Sequence, residues 1–556
     1  MYNRNDLGQF EKHLDFRRYP EDFDYESRPR VPFGELYVDE DFPFEVAMGR
    51  PRGFGRRQLD WKRPPEFASD PCLFSKGHSR YDIGQGSIGT CWFLASVANV
   101  ADKPQLLRRI IPDDSYPVGT PRYDGVFHCR FWRFGRWDDV FIDDYLPVIF
   151  GDQIYSAHSE TDPNEMWVSL LEKAFARMYG SYPEVSGGTA ADSYMALTGG
   201  IPEDIDLKKM SMDPDQLHTR VRNALSSGAA ITCSVPSEFN NKYGLIGPHE
   251  YTINGAVMAN GVRLFRLRNP WGEKEWTGPY SDGSPEWKKY TKKNHWTTFF
   301  ISFSDNKQYC TSLYGKWEGK EAAGFREKTK NPKFQFTVDE SSADINGNIP
   351  FVVQIIQRTK QRKTRKLGIR ADLYRVLGGG SNDLLVLEEE GIPSKNNFYL
   401  GSVQTSFRFT LKPGKYVCIP STGDKGKEKE FLLRLYSAGP LRNIIKVDTD
   451  TTVLTCDKDG AEQYSHLKCI TGQWRAGSNA GGQIRYDSFH TNPQLKIAIP
   501  RTQKVKLQLL SDPNYPIGIK MFKVGFTVST TDTHYFLQST LPVCVIIFIR
   551  NCITFI

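Results

Sequence analysis

No stretch of this 556-residue chain is long and apolar enough to cross a bilayer: the C-terminal run from Leu541 is broken by Arg550 and falls short of the roughly 18 to 20 apolar residues a span needs. The first residues, Met1 to Gly8, have no apolar core of a signal peptide. Ten cysteines are scattered without a single Cys-x-x-Cys pair, which argues against a zinc ribbon or a small disulfide scaffold. These absences fit a reducing cytoplasm. No segment has the acidic spacing of an EF-hand loop. The net charge of +7 is slight for this length, so nucleic acid is not an expected partner, and at most a mild attraction to acidic surfaces follows. What remains is ordinary globular composition, 39% hydrophobic and 25% charged, in a chain long enough for several domains.

The chemistry is concentrated in Asp82 to Ala95. Three glycines, Gly84, Gly86 and Gly89, make a loop, and an apolar run then begins abruptly at Cys91. A loop feeding the first turn of a helix sets the Cys91 thiol against unpaired N–H groups and the positive end of the helix dipole, which favours thiolate. Gln85 could donate its side-chain amide to an oxyanion beside Cys91, together with the Cys91 N–H. Taken alone, such a cysteine reads more readily as a small buried apolar group, the usual state of a free cysteine.

Two downstream residues complete a constellation. A cysteine nucleophile needs an imidazole to take its proton and a third group to fix that imidazole. His249 opens an alternating strand through Tyr251 and Ile253, and Asn269 ends the next one, where Pro270 stops the strand. An antiparallel pair of these strands brings His249 to Asn269, with Trp271 placed to cover both from water.

With these residues in view the chain resembles the calpain family of papain-type cysteine proteases. The likeness is carried by the Gln85-Gly-x-x-Gly-x-Cys91-Trp92 box, by Asn269-Pro-Trp-Gly-Glu-x-Glu-Trp276, and by Trp61 to Pro64, Phe131 to Gly135, Ile142 to Pro147 and Leu170 to Ala174; it covers roughly Leu36 to Ser437. The resemblance implies Cys91, His249 and Asn269 as triad and Gln85 as oxyanion donor. Two departures stand out. Thr90 replaces the family's usual Asp or Asn, and Pro248 and Glu250 flank a histidine normally set between Gly and Ala. A carboxylate beside His249 could raise its pKa or point away.

Calcium is the cofactor the resemblance implies. A first site would use Asp82 and Glu172 with the carbonyls of Ser75 and Gly77, an all-oxygen set suited to Ca²⁺. A second would keep Glu275 and Asp282, but Asn294 to Thr298 replaces a segment usually richer in acids, so its affinity should be low. One effective calcium site is expected. Without an EF-hand domain, a small EF-hand subunit is not an expected partner.

In chain order, residues 1–60 read as an irregular arm; 61–198 as a mainly helical half carrying the nucleophile, with helices at Cys91 to Ala101 and Asn164 to Tyr179; and 199–312 as a β-rich half carrying His249 and Asn269. Gly199-Gly200 marks the hinge. A repeat follows. Gly315 to Gly319 and Asn331 to Phe334 recur as Gly472 to Ala476 and Asn492 to Leu495, and Leu367 to Val376 as Ile517 to Val524. Each copy reads as a β-sandwich, 313–438 and 439–556, the first similar to the C2-like domain of calpains. In the second copy the closing strands give way to the apolar tail 538–556, which either substitutes a strand or stays exposed. The basic run 358–366 reads as a solvated hairpin loop or a contact for acidic phospholipid.

The expected fold class is therefore α+β, a papain-like two-lobed core followed by all-β sandwiches. The expected function is that of a calcium-regulated cytoplasmic cysteine endopeptidase making limited cuts in protein substrates. Two alternatives stay open: a scaffold with a silenced site that binds lipid or partners, and a transglutaminase-type acyl transferase, against which Asn269 in place of Asp argues.

Overall fold

The structure is a computed structural model that describes residues 28–49, 59–75, 77–115, 118–203, 213–235, 243–259, 261–271, 276–279, 281, 285, 301–303, 309–359, 366–378, 384–391, 403–456 and, within 470–555, the backbone of the strands. The chain divides into two compact units, residues 1–306 with 358–366 and residues 307–357 with 367–556.

In the first unit, helix α1 (Cys91–Ala101) buries every residue after Cys91. A helix apolar all round belongs in the middle of a domain, and α1 is wrapped by the rest of the unit. Helix α2 (Trp167–Tyr179) packs against it through Phe175, whose ring stacks on Phe93 at 3.9 Å, and ends at Gly180 in the left-handed conformation that glycine adopts without strain. It starts three residues later than its apolar spacing predicts. Met166 N–H bonds to the Cys72 carbonyl (2.9 Å) and Cys72 N–H to the Asn164 carbonyl (2.8 Å), so Asn164 to Met166 serve as a bridge to another segment and not as a helical turn. Helix α3 (Ala190–Thr198) ends at Gly199 with φ +65°, where a Cβ would come within 2.8 Å of the Trp132 ring. The half read as mainly helical also holds the hairpin of β1 (Val126–Arg133) and β2 (Arg136–Asp143).

The other half of this unit is a three-stranded antiparallel sheet with β3 (Ile231–Val235) and β5 (Val262–Arg268) on either side of β4 (His249–Ala259). Helix α4 (Pro214–Ser226) covers it through Leu217, Val221 and Ala224, which share a core with Ile231, Tyr251 and Ile253. The two halves are bridged by hydrogen bonds from Thr252 Oγ1 to the Ala95 carbonyl (2.8 Å), Asn99 Nδ2 to the Ile231 carbonyl (2.8 Å) and Arg268 Nη2 to the Ile83 carbonyl (2.8 Å).

The second unit begins with a sandwich. One sheet has the order β6 (Tyr309–Trp317), β13 (Lys429–Ser437), β8 (Ile349–Gln357), β11 (Gln404–Leu411). The other runs β14 (Arg442–Val447), β7 (Lys333–Val338), β12 (Gly414–Thr422), β9 (Ile369–Gly378), β10 (Leu384–Gly391), β15 (Thr452–Cys456). Trp317, Phe336, Val353, Tyr416 and Leu433 fill the space between them. Strands β14 and β15 lie beyond residue 438 yet pair with β7 and β10, so this sandwich takes in residues that the repeat pattern assigns to the next one.

The second sandwich repeats the topology. Its sheets have the orders β16 (Ile470–Gly472), β23 (Ile553–Phe555), β18 (Lys504–Leu510), β21 (His534–Gln538), and β17 (Gln494–Ile499), β22 (Val543–Ile549), β19 (Ile519–Lys523), β20 (Phe526–Val528). The described parts of the apolar tail beyond β21 are therefore strand, with β22 hydrogen-bonded between β17 and β19, as β12 is between β7 and β9. Strand β23 takes the place that β13 holds in the first copy.

Candidate active site

Cys91 stands at the first position of α1, and Thr90 occupies the N-cap without capping the helix through its side chain. The Thr90 hydroxyl turns instead to the buried Glu172 carboxylate, whose second oxygen accepts from Ala157 N–H at 2.8 Å. The first N–H groups of α1 are thereby not taken by a capping side chain. The N–H groups of Glu250, Trp92 and Cys91 act on the Cys91 sulfur in the direction that favours thiolate. The sulfur of α1 thus meets the backbone of β4 one residue past His249.

Burial nevertheless pushes the Cys91 thiol up, and these three N–H groups offset only part of that while the Glu250 carboxylate adds to it. The helix N-terminus was expected to lower the thiol. Its field acts in that direction, but desolvation of a charge outweighs it.

His249 is 3% exposed. Its Nε2 lies 2.6 Å from Asn269 Oδ1. The Trp271 backbone N–H donates to the same oxygen at 3.0 Å, which identifies it as the carbonyl end of the amide, so Nε2 carries the proton and Nδ1 holds the lone pair. Nδ1 is buried without a hydrogen-bond partner among the described residues. Burial lowers the His249 pKa, and the Asn269 bond opposes this. Trp271 lies over the imidazole with ring centroids 4.5 Å apart and donates from Nε1 to Gln85 Oε1 at 2.7 Å.

Gln85 is held from three directions: by Trp271, by its own N–H on the Pro270 carbonyl (3.1 Å), and by Nε2 on the Ile88 carbonyl (2.9 Å). An amide nitrogen carries two hydrogens, so one remains beyond the bond to Ile88. Gly86 explains the glycine-rich loop, because a Cβ there would fall 2.1 Å from the Ser156 carbonyl oxygen and 2.4 Å from that of Tyr155. Backbone atoms cannot yield that space.

The implied calcium ligands divide differently from the expectation. Asp82 accepts from Ser79 N–H (2.5 Å), Ser79 Oγ (2.9 Å) and Thr161 Oγ1 (2.9 Å). Glu172 is not its companion, since both Glu172 oxygens face Thr90 and Ala157; it supports the nucleophile loop. Two carboxylates meet the Ser75 segment: Glu165 accepts from Ser75 N–H (2.7 Å) and Ser159 Oγ (2.7 Å), and Asp162 accepts from Ser75 Oγ (2.6 Å). Burial, with the charges of Asp82 and Asp162 adding to it, pushes Glu165 up to about 7. A set of oxygen ligands with crowded negative charge fits a hard divalent cation, and Gly77 supplies a turn at φ +102° between Ser75 and Asp82. Among the described residues no group of three or more His, Cys, Asp or Glu is arranged to hold a metal, so main-chain oxygens would have to complete the shell. Nothing in the sequence spacing singles out Glu165, which meets the Ser75 segment only through tertiary packing. Glu275, Asp282 and residues 360–365 of the basic run lie outside the described residues.

A thiol at a helix start, beside the strand that carries an imidazole fixed by an amide, is the apparatus of a papain-type cysteine peptidase. Comparison with known proteins agrees with that class. The profile of calpain family cysteine proteases matches residues 37–314, and that of calpain large subunit domain III matches 313–436 and 470–539. Calpain clp-4 of Caenorhabditis elegans is 31% identical over 494 residues, covering 76% of this chain and 68% of its own. Calpain-5 of Mus musculus is 30% identical over 511 residues, covering 78% of each. The calpain-2 catalytic subunit of Homo sapiens is 32% identical over 470 residues, covering 73% of this chain and 66% of its own. The chain belongs to the calpain family. No helix among the described residues is long and apolar enough to cross a membrane.

Proposed function

We propose that the chain is a cysteine endopeptidase that cuts extended segments of protein substrates by acyl transfer through Cys91. The observation that supports this most is the His249–Asn269 pair, which leaves a buried Nδ1 lone pair as the one base of the imidazole. Cys91 Sγ attacks the scissile carbonyl carbon while its proton passes to His249 Nδ1. The carbonyl oxygen takes up the negative charge against the Cys91 N–H and the remaining Gln85 amide hydrogen. As the C–N bond breaks, the imidazolium returns the proton to the leaving amine. Water, deprotonated by His249, then opens the thioester and frees the acid. Asn269 holds the ring in the tautomer this sequence needs, and Trp271 shields the pair from water.

Calcium regulation is part of this reading. Asp82 and Glu165 would hold the ion together with main-chain oxygens of the Ser75–Gly77 segment. It would tie that segment to the 159–165 loop, upstream of Gln85, and so order the site without entering the chemistry. Isothermal titration should show one calcium site of useful affinity, lost in Glu165→Gln. Two tight sites, or a titration unchanged by that variant, would overturn the assignment. The basic run 358–366 is proposed to contact anionic lipid; flotation with phosphatidylserine vesicles that is unchanged after neutralising Lys363, Arg365 and Lys366 would remove that part.

A second reading, a scaffold with a silenced site, has one observation in its favour: the thiol is raised and the imidazole lowered, which disfavours the thiolate–imidazolium pair. Cleavage of a fluorogenic peptide by the full chain, abolished in Cys91→Ala, decides between the two.

A further inference from the structure

The imidazole of the triad meets a second aromatic ring besides Trp271. Side chains alternate across a strand, so His249, Tyr251 and Ile253 stand on one face of β4. That face is the one α4 covers, and Tyr251 and Ile253 share a core with Leu217, Val221 and Ala224. The Tyr251 ring is buried and packs against the His249 ring edge to face, with centroids 5.0 Å apart and planes at 84°. Trp271 meets the same imidazole at 4.5 Å and 45°, but it stands at the seam, bonded to Gln85 of the other half. Tyr251 belongs instead to the core beneath α4. Its hydroxyl accepts from the Ile246 N–H at 2.8 Å, and Leu245, one residue before, is part of that same core. One side chain thus ties down the approach to His249 and touches its ring. Burial pushes the Tyr251 phenol up, with the Ile246 bond offsetting part of this and the thiols of Cys233 on β3 and Cys91 on α1 adding to it, so the hydroxyl stays neutral where the imidazole titrates. Glu250, between the two rings in sequence, is on the opposite face of the strand. None of these groups figures among the influences on the His249 pKa, which are burial and the Asn269 bond.

We propose that Tyr251 is a positioning residue that acts through His249: its ring fixes the tilt of the imidazole and keeps water from it on the core side, while its hydroxyl holds the 245–248 segment from which the histidine emerges. Edge-to-face packing resists rotation of the ring, so the Nδ1 lone pair stays aimed where the Asn269 bond sets it. The same contact keeps the base dry, and a dry imidazole takes up a proton less readily. This rests on the reading of His249 as the general base, but its first readout requires no turnover.

The experiment is the titration of His249 in the full chain, read by NMR from isotope-labelled histidine, its signal assigned by its loss in His249→Ala. Tyr251→Leu keeps an apolar filler and removes the ring. Its His249 pKa should rise by about one unit as water reaches the imidazole, and kcat on a fluorogenic peptide should fall about tenfold with KM nearly unchanged. Tyr251→Phe keeps the ring without the hydroxyl; it should titrate like wild type and recover most of that kcat, while the lost Ile246 bond lowers its melting temperature. A side chain that merely fills the core would cost both variants stability and leave the His249 pKa in place, so a Leu variant with the wild-type titration would overturn the proposal. A Phe variant displaced as far as Leu would also overturn it, by assigning the effect to the hydroxyl. If Leu fails to fold, Tyr251→Met, with its more adaptable side chain, takes its place. A displaced titration in a chain that cleaves no peptide would keep this inference and remove the peptidase reading; Cys91-dependent cleavage with an undisplaced titration would do the reverse.

Discussion

Replacing Asn269 with alanine removes one acceptor from two donors. The His249 Nε2–H bond is 2.6 Å long and belongs to an imidazole that is 3% exposed, and the Trp271 N–H loses the same oxygen. Leaving a buried donor unsatisfied costs about 1–3 kcal/mol. Where that cost falls on the orientation of the base in the transition state, it is about 5- to 150-fold in rate. Asn269 does not touch substrate, so kcat should fall by that factor with KM nearly unchanged. The pH profile carries a second signature. Burial lowers the His249 pKa and the Asn269 bond opposes it; without the bond the imidazole stays neutral to lower pH, and the acid limb of kcat/KM should move down as the plateau drops. Asn269→Asp, which keeps the acceptor and adds a charge, should move that limb up. Steady-state kinetics on a fluorogenic peptide between pH 5 and 9 read both effects. An Asn269→Ala enzyme within twofold of wild type, with an unmoved acid limb, would refute the assignment of this amide.

Other parts of the structure are equally exposed to test. Lys173 and Asp143 form an ion pair with side chains 0% and 2% exposed, and Lys173 also donates to the carbonyls of Asp143 (2.9 Å) and Tyr145 (2.8 Å); Lys173→Met should destabilise the protease unit by about 3–5 kcal/mol in denaturant melts, and a loss below 1 kcal/mol would contradict the pairing. Gly86→Ala should abolish cleavage, because its Cβ would collide with main-chain oxygens of Tyr155 and Ser156 and shift Gln85; retained activity would mean the loop is not so confined. Burial pushes Glu172 up to about 7, well above the usual carboxylate range. A group raised on folding contributes stability below its unfolded pKa that is lost as pH rises through the folded value. Glu172→Gln should accordingly gain on wild type in thermal stability between pH 5 and pH 8, and a gap that does not change with pH would exclude the buried charge.

The site was legible in the sequence to the extent that it is written in local signals. The three glycines and the abrupt apolar run placed the start of α1 at Cys91, where it is found, and alternation with Pro270 placed β4 and β5. The repeat predicted that the two sandwiches share one plan, which their sheet orders follow. What spacing could not show is tertiary. Glu172 sits one position from Lys173 on α2, yet its oxygens go to Thr90 and Ala157, while Glu165, before the helix, reaches Ser75. The thiol's own pKa depended on how deeply tertiary packing buries Cys91, which spacing does not show. The tail 538–556 lacks the sequence of the strands it replaces, and only the hydrogen-bond partners of β22 and β23 reveal that it fills their places.

The most direct test of the account is casein cleavage by the purified chain, with calcium and with chelator, beside Cys91→Ala. Cleavage that requires both Cys91 and calcium is the predicted result. Cleavage that persists in Cys91→Ala, or none by the intact chain under either condition, would contradict it.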